Sequence, residues 1–347
     1  MMKRRLLVLA VILLLGCLVG LLVFGYGLHR DALQVGLFTD ATPATSVTAL
    51  SITAAATEVT TEATTEATTE ATTAPTEPPE PEADIHTLNA KHAFVYDLTA
   101  EQLLYTPGDQ TEPSAPASLT KLLTILVALE YLEPDTLVTA GEEVKWIHPH
   151  SSVAWVKKGN ELTVEMLVQG MMMQSGNDAA YVLAAAAGRV MAGAEEPNTR
   201  QAVDYFQDRV NRRAIELGLS DTNFVTPDGL DANGHHTTAA DLLLISKQVL
   251  QIPLVRQYAS CQQAQVFFAS GQEHQWVNTN WMLDPTSKYY CEDVIGLKTG
   301  STSIAGNCLL AVFRDGDREL LICVLGCPTI ANRFQDALFL YDTYKQR

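Results

Sequence analysis

The chain is short of positive charge. It carries 23 Lys and Arg against 40 Asp and Glu in 347 residues, a formal net charge of −17. Such a surface repels phosphate backbones and excludes nucleic acid as a partner. Cysteine is also scarce. Six are present, none in a C-x-x-C pair or at zinc-ligand spacing, so neither a dithiol redox motif nor a zinc finger is encoded. His148-Pro149-His150 and His235-His236 have no acidic residue at ligand spacing, and neither a metal nor a cofactor is expected. Long apolar runs are missing with one exception, and from Thr53 to Asp84 there is almost nothing to bury.

The exception is residues 6–25, Leu6 through Gly25, which carry no charge. A run of that length spans a bilayer. Lys3-Arg4-Arg5 ahead of it predicts a cytoplasmic tail over 1–5 and an exported C-terminal bulk. A cleaved signal peptide is the alternative, but the run is long for one and has no A-x-A-like exit. Leu14-Leu15-Gly16-Cys17 resembles a lipoprotein cleavage site, yet the apolar run continues past Cys17. An uncleaved transmembrane signal anchor over 6–26 is therefore expected, with a single pass through the cell membrane. Beyond it, Thr60-Thr61-Glu62-Ala63 recurs at 64–67 and 68–71, followed by Pro75, Pro78, Pro79 and Pro81. This composition cannot offset its ordering entropy. Branched threonines and like-charged glutamates four apart also oppose a helix. Residues 27–86 read as a disordered, acidic Thr/Glu/Pro-rich stalk that holds a domain over 87–347 off the membrane.

That domain is long enough for a sizeable core. Ala93–Tyr96 and Gln102–Tyr105 read as strands around a turn. Residues 119–132 carry a helical apolar pattern. Thr163 caps a helix through Met173, an Ala-rich helix follows Asn177, and residues 201–218 and 238–250 are helical. Residues 264–268 and 295–299 read as strands. Residues 307–313 and 318–325 flank Arg314-Asp315-Gly316-Asp317, a hairpin signal, and residues 330–345 form a closing helix. Strands at both ends and helices between predict an α/β (α+β) fold: an antiparallel sheet flanked by helices plus a helical subdomain. A two-residue turn at 315–316 would set Cys308 opposite Cys323, Cα atoms about 5.5 Å apart. Two neighbouring buried thiols are expected there rather than a disulfide. Cys323 and Cys327, about 13 Å apart on a strand, cannot bond.

Three stretches carry chemistry. In Pro116-Ala117-Ser118-Leu119-Thr120-Lys121, Pro116 cannot sit inside a helix, so Ser118 falls at or just inside a helix N-terminus. Lys121 then lies one turn on, on the same face. A serine needs a base beside it, and lysine serves only with a lowered pKa. Alone, the pair is an N-cap serine and a solvated lysine. Lys298-Thr299-Gly300 closes an apolar strand, and a second cation there can hold Lys121 down and bind a carboxylate. Gly300 would let a substrate backbone lie close to the strand. Ser175-Gly176-Asn177, between two helices, is either an ordinary turn or a hydroxyl and amide facing a substrate.

The order S-x-x-K, S-x-N, K-T-G is the signature of penicillin-binding proteins and class A β-lactamases. The chain resembles the low-molecular-mass penicillin-binding proteins, the serine-type D-alanyl-D-alanine carboxypeptidases of peptidase family S11, over roughly 85–345. Asn223-Phe224 through Gly229-Leu230 and His235 to Asp241 are similar to that family as well, and give His235 a structural place. The resemblance implies a β-lactamase/transpeptidase-like fold and removal of the terminal D-alanine from peptidoglycan stem peptides. Ser118 would form the acyl-enzyme, Lys121 act as general base and Ser175 relay the proton. Asn177 would orient the peptide, Lys298 and Thr299 hold its terminal carboxylate, and the N–H groups of Ser118 and Ser301 form the oxyanion hole. β-Lactams would trap Ser118. It further implies an extracytoplasmic catalytic domain in a bacterium and a part in cell-wall maturation and cell shape. Many members add a β-rich domain and a C-terminal amphipathic helix; here an N-terminal anchor is expected instead. Ser301 stands where relatives often have histidine. Against a β-lactamase, the nearest E-x-x-L-N-like stretch, Glu216 to Ser220, lies within a predicted helix. An endopeptidase would use the same residues, whereas a non-catalytic wall-binding protein would not need them intact.

Overall fold

The computed structural model describes residues 88–346. The anchor and stalk expectations lie outside the described residues, and among those described no helix is long and apolar enough to cross a membrane. The chain opens with β1 (His92–Asp97) and β2 (Gln102–Tyr105). A 3-10 turn over Ala117–Leu119 leads into α1 (Thr120–Leu129), which is buried on nearly every side. Such a helix is a core element rather than an amphipathic surface one.

The short strands β3 (Leu137–Thr139) and β4 (Glu161–Thr163) pair ahead of α2 (Val164–Met173). The Thr163 hydroxyl accepts from Met166 N and starts that helix, as an N-cap does. Next come α3 (Asn177–Met191) and α4 (Thr199–Glu216), the latter opened by an Asn198–Gln201 capping box. The alanines of α3 allow a close approach. A Cβ on Gly188 would meet the Ala202 carbonyl oxygen at 1.8 Å. Thr238 caps α5 (Ala239–Val249). Then α6 (Pro253–Ser260), β5 (Gln263–Phe267) and β6 (Glu273–Val277) lead to the long strands β7 (Val294–Thr302), β8 (Gly306–Asp315) and β9 (Arg318–Cys327), and α7 (Ile330–Tyr344) closes the fold.

The main sheet has five antiparallel strands in the order β2-β1-β9-β8-β7. Alternation along the strands divides the core. Val95, Ala311, Phe313 and Ile322 face Phe334, Ala337 and Leu340 of α7. Phe94, Leu310, Val312 and Leu321 face the helical subdomain. This is the α+β architecture expected, with β7 left at the sheet edge beside the turn that carries Ser118.

The hairpin register differs from expectation. Asp315 pairs with Arg318, so Gly316 and Asp317 form the turn, with Gly316 at φ +62°. The turn sits one residue later because the glycine is needed in the left-handed position. Cys323 therefore lies opposite Leu310, and Cys308 opposite Gly300 of β7. Cys308 and Cys323 are both free and buried, in agreement with two separate thiols.

Candidate active site

Ser118 lies in the 3-10 turn that precedes α1, where Ala117 holds φ +50°. A non-glycine residue there stores strain, and two glycines lock it. A Cβ on Gly229 would fall 1.9 Å from the Ala117 carbonyl oxygen, and one on Gly300 would fall 3.0 Å from Ala117 Cβ and 3.2 Å from Ser118 N. Gly300 thus lets β7 press against the nucleophile turn; the expectation that it made room for a substrate missed this packing. Thr120 ties the turn further. Its hydroxyl donates to the Ala117 carbonyl and meets His235 Nε2 at 2.9 Å. His235 Nδ1 accepts from Val225 N, and burial lowers the ring to about 4. The ring is therefore neutral, with its proton on Nε2.

Lys121 is fully buried, and its Nζ donates to Ser118 Oγ (2.9 Å), Asn177 Oδ1 (2.8 Å) and the Asp228 carbonyl (2.6 Å). Burial lowers it to about 8, while Asp228 and Asp178 pull the other way. A neutral amine would keep its two protons on Asn177 and Asp228 and turn its lone pair to Ser118, which suits a base.

Ser175 has φ +56° between α2 and α3 and accepts from Lys298 Nζ at 2.9 Å. Lys298 also donates to the Thr299 carbonyl at 3.0 Å. Burial holds it well below the ordinary lysine value, and Lys121 and Arg333 push it the same way. Burial, not Lys298, is the main cause of the lowered Lys121; the mutual repulsion falls on Lys298. Asn177 spends its carbonyl on Lys121 and leaves its amide NH2 without a partner among the described residues. Asp178 clamps the wall beside it by accepting from Ala154 N and Val156 N, each at 2.8 Å.

The six side chains singled out by sequence meet here, and Ser301 lies next to them on β7. Arg333 of α7 was missed. Its Nη1 donates to the Gly300 carbonyl (3.1 Å) and Ser301 Oγ (2.9 Å), and Ser301 passes a bond to Asn307. Burial lowers Arg333 only to about 10, so it remains a cation under the strand. A signal was present: Arg333 shares the α7 stripe with Ala337 and Leu340, where a cation needs a buried partner. Glu216, the nearest stand-in for a deacylating glutamate, lies at the end of α4 on Arg209 and Arg213. His235 and His236 are committed to protein partners, which leaves little for a metal. No group of three potential ligands occurs among the described residues.

Fold and site together set a serine hydroxyl against a buried lysine amine. The chain belongs to the Peptidase S11 family, D-alanyl-D-alanine carboxypeptidase, whose profile matches residues 73–329. It is 29% identical over 247 residues to the carboxypeptidase DacF of Bacillus subtilis, covering 70% of this chain and 59% of DacF. It is 32% identical over 272 residues to DacD of Escherichia coli, covering 75% and 62%. The chain thus spans about three fifths of these relatives' length. The Streptomyces K15 DD-transpeptidase superposes with TM-score 0.66 at 26% identity, covering 74% of this chain and 97% of that one. Penicillin-binding protein D2 of Listeria monocytogenes, solved in its ampicillin-bound form, gives 0.59 at 27% identity, covering 74% and 98%.

Proposed function

We propose that the chain is a serine D,D-carboxypeptidase that removes the terminal D-alanine from peptidoglycan stem pentapeptides. The observation that carries this is Lys121 Nζ, fully buried, lowered to about 8 and 2.9 Å from Ser118 Oγ. Ser118 attacks the carbonyl carbon between the two D-alanines, and its proton passes to Lys121. The N–H groups of Ser118 and Ser301 donate to the developing oxyanion. The C–N bond breaks as Ser175 delivers a proton to the leaving amine. Lys298 and Thr299 hold the terminal carboxylate, Asn177 orients the peptide, and water then hydrolyses the ester on Ser118. A β-lactam enters the same route and remains on Ser118.

Residues 6–26 anchor the chain in the bacterial cell membrane, and the stalk sets the catalytic domain on the extracytoplasmic face, where it trims peptidoglycan and bears on cell shape. The apolar run after Lys3-Arg4-Arg5 supports this; loss of that segment from the intact mass of membrane-extracted protein would remove the anchor.

D-Alanine release by the full-length chain from a peptide ending in D-Ala-D-Ala, beside Ser118→Ala, tests the activity. Release that vanishes in the variant is expected. No release from folded protein, with β-lactam labelling retained, would redirect the assignment to an endopeptidase.

A further inference from the structure

A cavity of about 340 Å³ opens on Ser118, and Ser301 and Thr302 of β7 line it. Thr299 lies two residues before Ser301 on that strand and is buried. Among the described residues its hydroxyl has one partner, Thr279 Oγ1 at 2.7 Å. Thr279 belongs to none of the three sequence motifs. It follows β6, and its N–H donates at 3.0 Å to the carbonyl of Met173, the last residue of α2 and two before Ser175. Thr279 therefore ties the strand of Lys298 and Thr299 to the turn of Ser175.

The backbone of Thr279 is held on both sides. Asn278 is buried, and it donates through its N–H to the Gln262 carbonyl (2.7 Å) and through Nδ2 to the Cys261 carbonyl (3.0 Å). Asn278 Oδ1 accepts from Asn280 N (3.0 Å), and Asn280 Oδ1 accepts from Met282 N (3.2 Å). Such asparagine turns fix the chain locally. The proton count then sets the direction of the Thr279–Thr299 bond. Each hydroxyl carries one proton, and a carboxylate carries none. If Thr299 donated to Thr279, only lone pairs would face a substrate carboxylate. With Thr279 as donor, Thr299 keeps its proton for that carboxylate, and the two bonds polarise one another. Thr279 Oγ1 has no other hydrogen-bond partner among the described residues, so nothing competes for its proton.

We propose that Thr279 is a positioning residue that donates its hydroxyl proton to Thr299 and so aims the Thr299 O–H at the terminal carboxylate of the substrate. This rests on the carboxylate role given to Thr299 under the proposed function and adds a residue to it. Lys298 supplies charge, and the hydroxyl pair supplies direction. A substrate that ends in a carboxamide can offer its own N–H to Thr299, so it does not depend on the order of that pair.

The test uses the full-length chain with N-acetyl-L-alanyl-D-Ala-D-Ala and its C-terminal carboxamide. Thr279→Val keeps the shape and removes the hydroxyl. KM for the free acid should rise about fivefold, the net worth of one hydrogen bond, with kcat within about twofold. Thr279→Ser keeps the hydroxyl and should bring KM back to within about twofold of the natural chain. Calorimetric binding to full-length Ser118→Ala, with and without Thr279→Val, should show about a fivefold rise in Kd for the acid and none for the carboxamide. Thr279→Ala replaces the valine variant if that one does not fold. An unchanged KM in the variant that lacks the hydroxyl, or a serine variant as weak as the valine one, would overturn the proposal. If the natural chain releases no D-alanine, the assigned activity fails instead, and the Kd pair still decides Thr279. Equal weakening of both peptides would make it a structural brace and sink the positioning role.

Discussion

The two faces of the main sheet obey different rules. The face under α7 is apolar almost throughout, with Phe313 stacked on Tyr341 at 4.3 Å and Ala311, Ile322 and Val324 beside them. The face under the helical subdomain ends in buried charge: Lys121, Lys298 and Asp228 are each at most 1% exposed. Asp228 Oδ2 has no hydrogen-bond partner among the described residues, and Ala117 and Ser175 hold left-handed backbone. Buried charge, unpaired polar atoms and strain all oppose folding. They persist because the apolar remainder over-determines the structure. One sheet thus supplies stability on one side and a poised site on the other.

Single substitutions on the two faces should separate these properties. Lys121→Ala should lower kcat/KM by about 10³-fold or more, because it removes the proposed base beside Ser118. It also removes a desolvated cation, so its thermal midpoint should change little; steady-state kinetics beside calorimetry would show this. Phe313→Ala should do the reverse. It leaves a cavity against Tyr341 and should cost about 3–5 kcal/mol in denaturant unfolding, with turnover by the folded fraction nearly unchanged. A variant of either kind that moved both properties together would erase the division.

pH gives a finer separation, since it titrates one face and leaves the other alone. In the proposed mechanism the active form of Lys121 is neutral. With its value lowered to about 8, about one tenth of the chain is ready at pH 7 and half at pH 8, so kcat/KM should rise about fivefold over that unit. The expected profile has its rising limb near 8. A rising limb near the ordinary lysine value would mean that Lys121 is better solvated than its burial implies.

Legibility followed the same division, for physical reasons. That Ser118, Lys121, Ser175, Asn177, Lys298 and Thr299 belong together could be read in advance because they fall in three short local motifs. Thr163 announced its helix because a cap is a local signal. Arg333 was hidden, since its partners Gly300 and Ser301 are distant in sequence and only the fold unites them. The supports contributed by Gly229 and the Asp228 carbonyl were hidden likewise, because a backbone oxygen has no side-chain signature. The short α6 and β6 offered too few residues for a period to show. The β8–β9 register slipped because an Asp-Gly-Asp run permits either neighbouring pair at the turn. The choice fell to the position that placed Gly316 at positive φ.

The smallest expected effect lies at Glu216, and its smallness is informative. A β-lactamase frees its acyl-enzyme with a glutamate set to activate water. Glu216 faces solvent at the end of α4, bonded to Arg209 at 2.9 Å and Arg213 at 3.3 Å. The Arg209 guanidinium holds its carboxyl below the usual range, the opposite of what a base needs. The cavity on Ser118 has no glutamate in its lining. Glu216→Gln should therefore leave peptide turnover and the lifetime of the β-lactam acyl-enzyme unchanged within about twofold, with Tm within about two degrees. A lengthened acyl-enzyme lifetime would bring this residue to the chemistry by a motion of α4 and reopen the β-lactamase reading. An unchanged lifetime leaves deacylation to water and the lysines around Ser118, and confines the catalytic work to the strained face of the sheet.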